Sequence, residues 1–181
     1  MKEITFFGRG GQGAVVASEI LAEAYFREGY QVQSFPSFGV ERRGAPVTAF
    51  LRINKEFIYV RSMIYQADTG LVLSANIIQS PIFLPSMKKG STILINSETA
   101  IENLDDYKIS TVDATGIALE CGLGSSAQPL VNTAILGAYA KIAGNLELDN
   151  LLGAVEKKVP QKTEKNLLAI QKAFASVVCF E

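Results

Sequence analysis

The stretch that most limits what this chain can fold into is ITFFGRGGQGAVVASEILAEA, Ile4 to Ala24. An apolar run, Ile4–Phe7, stops at glycine and reads as a buried strand. Gly8, Gly10 and Gly13 follow at the spacing Gly-x-Gly-x-x-Gly. Beyond them Val15, Val16, Ile20, Leu21, Ala24 and Tyr25 recur near helical spacing, which predicts a helix over 14–26, stopped by Gly29. A strand, a glycine turn and a helix in that order make an anion site. The first N–H groups of a helix have no acceptor in their own element, and the helix dipole adds positive charge there. In this frame Gly8 and Gly10 permit a tight turn and close ligand approach, and Gly13 permits close packing of helix on strand.

The rest of the chain extends the same theme. Gln31–Phe35 reads as a second strand closed by Pro36, which completes a βαβ unit. Ser34–Val47 is a polar loop punctuated by glycine and proline. VTAFLRINKEFIYVRS predicts a hairpin of Val47–Ile53 with Phe57–Arg61, turning at Asn54-Lys55. Three more strands are predicted over 68–75, 91–98 and 108–114. Pro81 and Pro85 leave room only for a short or broken helix between the first two of these. Helical patterns then cover 115–121, 129–142, 149–159 and 163–178. The sum is one α/β domain over 1–181: a three-layer, Rossmann-like sandwich with a mainly parallel sheet and an antiparallel hairpin insertion.

Composition narrows the chemistry. The net charge of −1 gives no bulk attraction to nucleic acid or to a membrane surface. No apolar stretch reaches the roughly 20 residues of a membrane span. The start, MKEITFFGRGG, is interrupted by glycines too early for a signal peptide. The 181 residues include no histidine, so there is no Ser-His-Asp triad and no His-ligated metal. Cys121 and Cys179 are the only cysteines, too few for an iron–sulfur cluster and in keeping with a reducing cytoplasm. Alone, the chain is poorly equipped for hydrolysis or electron transfer.

The glycine loop admits three readings: a purely structural turn, a site for a phosphate-bearing ligand, or an NAD(P) site. The NAD reading wants an acid at the end of the second strand, where this chain has Ser34-Phe35-Pro36. Arg42 and Arg43 suit the 2′-phosphate of NADP in chemistry but stand well beyond that strand end. The loop SFGVERRGAPV that carries them, with Glu41, leaves the same sheet edge as the glycine loop if both strands are parallel. Its guanidiniums suit phosphate, carboxylate or an acidic partner. Phe35, Pro36 and Phe38 add apolar surface of the kind found at protein interfaces. Asp113, on the carboxyl edge of the sheet, either touches a ligand or caps the helix over 115–121, with the cap favoured; Cys121 reads as a small buried hydrophobe rather than a nucleophile, since no base is identifiable. Asn132 and Thr133 either face the crevice or serve local backbone.

GRGGQG opening the first helix, followed by FPSFGVERRGAPVTAFLRI, resembles the gamma subunit of 2-oxoacid:ferredoxin oxidoreductases, the pyruvate type most closely. The likeness continues through the hairpin to NTAILGAYAKIAG, Asn132–Gly144. The resemblance implies a complete enzyme that oxidatively decarboxylates a 2-oxoacid, joins the acyl group to coenzyme A and reduces ferredoxin. It implies alpha, beta and delta-type partner subunits, with thiamine diphosphate and iron–sulfur clusters carried by those partners. It leaves this chain an architectural role and a share in coenzyme A binding. On that reading Gly8, Arg9, Gly10, Gly11, Gln12 and Gly13 face a pyrophosphate-like group, with Arg42 and Arg43 adding charge; no residue of this chain is catalytic and none binds metal. No Gly-Asp-Gly stretch of a thiamine diphosphate site occurs. The rival readings are a free-standing NAD(P)-binding oxidoreductase, a pure interaction module, and a sister subunit for 2-oxoglutarate or an aryl-pyruvate.

Overall fold

A computed structural model describes residues 1–37, 45–101 and 104–180. The chain runs β1 (Lys2–Arg9), α1 (Ala14–Arg27), β2 (Gln31–Pro36), β3 (Pro46–Asn54), β4 (Ala67–Val72), β5 (Met87–Asn96) and β6 (Lys108–Val112). There follow α2 (Ala114–Glu120), a small hairpin of β7 (Gly124–Ser125) and β8 (Gln128–Pro129), then α3 (Asn132–Ala143), α4 (Leu148–Lys158), α5 (Thr163–Ser176) and β9 (Val178–Phe180). Two short 3-10 turns, Ala75–Gln79 and Leu84–Ser86, join β4 to β5. They fall where Pro81 and Pro85 allowed only a broken helix.

One seven-stranded sheet has the order β2-β3-β1-β4-β5-β6-β9. β1, β4, β5 and β6 are parallel neighbours. β3 is antiparallel to both β1 and β2, so β2 runs in the direction of β1 with β3 between them. The hairpin insertion is therefore β2–β3, not Val47–Ile53 with Phe57–Arg61. The register explains why. β3 pairs with β1 from Lys2↔Ile53 to Arg9↔Pro46 and with β2 from Gln31↔Asn54 to Pro36↔Ala49. Both of its edges are filled, so residues 57–61 cannot pair with it and run as coil. The apolar pattern of the sequence also predicts no β9 and continues the last helix to Val178. The backbone instead turns extended at Val177, and Val178–Phe180 pairs antiparallel with β6.

The alternation of strand side chains divides the interior in two. Ile4, Phe6, Leu51, Leu71 and Leu94 point to the face that the five described α-helices cover. Tyr25 of α1 and Tyr139 of α3 meet inside that layer, hydroxyl to hydroxyl at 2.8 Å, and Tyr25 donates on to Asn145 Oδ1 at 3.0 Å. Burial pushes the Tyr25 phenol up to about 12 and Tyr139 well above its ordinary range. The opposite face carries Phe7, Phe50, Val72, Ile93 and Ile95. Its cover is thin: Phe83 between the two 3-10 turns, Leu104, and Ile64 of the coil 57–66. Arg52 also lies on this side, 1% exposed, donating to Glu3 Oε1 at 2.9 Å, Gln33 Oε1 at 3.0 Å and the Met63 carbonyl at 3.2 Å.

A candidate anion site at the sheet's switch point

The chain leaves β1 through α1 toward β2 on one side, and leaves β4 toward β5 on the other. The crevice beyond the carboxyl ends of β1 and β4 is thus the topological switch point, where open α/β sheets bind ligands. Gly10–Gly13 forms its rim. Gly11 has φ of 98° and Gly13 φ of 80°, both in the left-handed region that favours glycine. The first helical bond of α1 runs from the Ala17 N–H to the Gly13 carbonyl at 2.8 Å. The N–H groups of the opening turn before it therefore have no acceptor in the helix.

The loop's donors are not all open. Gly10 N–H donates to the Ala45 carbonyl at 2.9 Å, and Gln12 N–H to the Arg9 carbonyl at 3.0 Å. The Gln12 side chain also works inside the loop: Oε1 accepts from Arg9 N–H at 2.8 Å, and Nε2 donates to the Leu73 carbonyl at 3.3 Å. This ties the loop to the end of β4. Among the described residues, no acceptor engages the N–H groups of Gly11, Gly13 or the start of α1. The close approach of strand and helix falls at Gly8, where an added Cβ would lie 3.2 Å from the Ala14 Cβ. Gly13 instead faces Asn132, whose Nδ2 stands 2.7 Å from where a Cβ would be.

Arg9, at the end of β1 beside Pro46, is exposed. Arg42 and Arg43, with Glu41 and Phe38, lie outside the described residues. The flanks of their loop are placed: Ser37 N–H bonds the Thr48 carbonyl at 2.8 Å, and Ala45 accepts from Gly10. Both ends of the arginine loop therefore root at the glycine-loop edge of the sheet.

Residues that the sequence reading passed over complete the crevice. Gln128, on β8, reaches across to Gly11, and a Cβ on that glycine would collide with its amide. Asn96, at the end of β5, donates to the Leu73 carbonyl at 3.0 Å and to Thr115 Oγ1 at 2.9 Å, while accepting from Thr115 N–H at 3.1 Å. An asparagine ending a parallel strand was the one available signal, since it sits on the ligand edge by topology. Of the two residues left open, Asn132 faces the loop, and Thr133 is buried, donating to Asn166 Oδ1 at 2.8 Å. Asp113 caps α2, accepting from Gly116 N–H at 2.7 Å, and Cys121 is buried.

Among the described residues no group of three or more His, Cys, Asp or Glu side chains is placed to hold a metal, and no described helix is long and apolar enough to cross a membrane. The strongly displaced phenols lie in the helical layer, not in the crevice. Fold and site together define an open α/β domain whose switch-point edge carries a left-handed glycine turn, a helix start and two carboxamides.

Comparison with known proteins sharpens this. The family profile "Pyruvate ferredoxin/flavodoxin oxidoreductase" matches residues 3–176. The pyruvate/ketoisovalerate oxidoreductases common subunit gamma of Thermococcus kodakarensis is 44% identical over the full length of both chains. The pyruvate synthase subunit PorC of Methanothermobacter marburgensis is 45% identical over 96% of each. The crystal structure of the pyruvate oxidoreductase subunit PORC from Thermotoga maritima superposes with a TM-score of 0.82 at 33% identity, covering 99% of this chain and 98% of that one. The chain belongs to the pyruvate ferredoxin/flavodoxin oxidoreductase family, as a gamma-type subunit. The fold alone is shared with a 2-oxoglutarate:ferredoxin oxidoreductase from Magnetococcus marinus, solved with 2-oxoglutarate, coenzyme A and succinyl-CoA bound. There the match has a TM-score of 0.78 at 19% identity and covers 96% of this chain but 30% of that one.

Proposed function

We propose that residues 1–181 form one domain serving as the gamma subunit of a cytoplasmic 2-oxoacid:ferredoxin oxidoreductase, with pyruvate as the 2-oxoacid and acyl-CoA as the product. Thiamine diphosphate, the iron–sulfur clusters and the ferredoxin contact belong to alpha, beta and delta-type partners. The contribution of this chain is a docking fold and a polar nest for the pyrophosphate of coenzyme A.

The observation that carries the reading is the opening turn of α1, which follows the left-handed Gly11 and Gly13 at the switch point and whose N–H groups have no hydrogen-bond acceptor among the described residues. Gly11, Gly13 and the start of α1 offer backbone donors; Gln128 and Asn132 bring carboxamides to the same place. Arg9 and the loop bearing Arg42 and Arg43 supply charge at that edge. A dinucleotide role is less well served, because β2 ends in Ser34-Phe35-Pro36 and offers no acid for ribose hydroxyls.

The test is steady-state kinetics of the reconstituted complex. Arg42→Ala/Arg43→Ala is expected to raise the KM for coenzyme A about tenfold or more, the loss of one or two charge-assisted hydrogen bonds. The KM for the 2-oxoacid should stay within about twofold, because those contacts lie on other chains. A coenzyme A KM equal to wild type would leave the glycine loop a structural turn.

A further inference from the structure

We propose that the sheet face that carries no α-helix among the described residues is where another subunit of the oxidoreductase docks, and that an uncharged hydrophobic side chain of that subunit fills a cavity beside β1. The inference rests on the family's multi-chain organisation and adds which surface is used.

The cavity holds about 400 Å³. Thr5 and Phe7 of β1 and Thr48 and Phe50 of β3 form its floor. The Thr5 hydroxyl is buried and has no hydrogen-bond partner among the described residues. Ile64, Ile77 and Phe83 form walls, and Phe83 meets Phe7 edge-on at 4.9 Å between ring centres. Arg9 is the one charged residue among the described lining. A volume of this order accepts a large side chain, and an almost uncharged lining selects an apolar one.

The rim argues for a protein occupant. Tyr65 and Ile82, both 74% exposed, and Met63 stand at the mouth. Farther along the same coil Phe57 and Tyr59 pair their rings at 4.8 Å, with Tyr59 81% exposed. A small ligand in the cavity would leave these large groups in water. A protein surface covers cavity and rim together, and aromatic residues and methionine are enriched at the cores of such contacts. The coil that bears them is preorganised. Arg52, anchored by Glu3 and Gln33, holds the Met63 carbonyl, and Ile64 is buried beneath. Holding the coil before docking lowers the ordering cost of association.

The experiment co-expresses the full chain with the other subunits of its oxidoreductase and follows co-purification and 2-oxoacid turnover. Tyr65→Asp and Ile82→Asp change exposed positions, so the isolated variants should keep the wild-type circular dichroism and melting midpoint. Each is expected to weaken assembly at least tenfold. Phe26→Asp and Leu168→Asp, exposed on α1 and α5, should assemble as wild type. Hydrogen exchange of the wild-type complex should show residues 57–66 and 80–86 protected relative to the free chain, and this reading decides the matter if a variant misfolds. Normal assembly of both variants, or exchange unchanged over those segments, would overturn the inference. So would a homodimer of the free chain that Ile82→Asp dissociates while assembly persists. A wild-type chain that joins no partner would refute the multi-chain reading as well; assembly with an unaltered coenzyme A KM in Arg42→Ala/Arg43→Ala would count only against the proposed nest.

Discussion

Glu3→Ala is expected to destabilise the chain by about 3 kcal/mol. Among the described residues Arg52 is the largest fully buried side chain, and its guanidinium lies under the coil 57–66 with Glu3 as its only ion-pair partner. Removing the carboxylate leaves a buried cation with two neutral acceptors, Gln33 Oε1 and the Met63 carbonyl. Losing one member of a buried pair costs far more than the pair contributes, because the survivor keeps its desolvation penalty. The double variant Glu3→Ala/Arg52→Met removes that survivor and should recover most of the loss. Urea unfolding of the three proteins checks this. A change within about 0.5 kcal/mol for Glu3→Ala, the size of an ordinary surface substitution, would contradict it.

Gly137→Ala is the second large effect, and its sign is the informative part. In an exposed helix the change would stabilise by about 1 kcal/mol, because alanine has the better helix propensity. Here α3 and α5 cross at this residue, and an added Cβ would run into the Ile170 carbonyl. That obstacle is backbone and cannot rotate away. The helices must separate, and the buried Thr133–Asn166 bond at 2.8 Å resists the separation. Overpacking of this kind costs about 1–3 kcal/mol, so a net loss of about 2 kcal/mol is expected in urea unfolding. A variant more stable than wild type would show that the helices have slack at this crossing.

The parts of this fold legible in the sequence are those set by local pattern. Ile4 through Arg27 announces strand, turn and helix because each signal lies within a few residues of the next. The prolines at 81 and 85 correctly forbid a long helix. What failed depends on distant partners. Phe57-Ile58-Tyr59-Val60 has the composition of a strand, yet only Ile58 is buried, because β2 already holds the edge that this segment would have needed. Val178–Phe180 continues an apolar run and so looks like more helix, until β6 offers it an edge. In the site, Gly8–Gly13 was visible as a motif, but which donors remain open was not. That depends on Ala45 and Leu73, which lie just before β3 and just after β4. Gln128 meets Gly11 across more than a hundred residues, and nothing near Gln128 marks it as part of a glycine loop.

On the proposed function, this chain supplies binding and docking while its partner subunits do the chemistry. The direct measurement is release of carbon dioxide from pyruvate with coenzyme A, thiamine diphosphate and ferredoxin present. The purified chain alone should give none above the protein-free background, and turnover should appear only when its partner subunits are added back. Sustained, protein-dependent carbon dioxide release from the isolated chain would contradict the account.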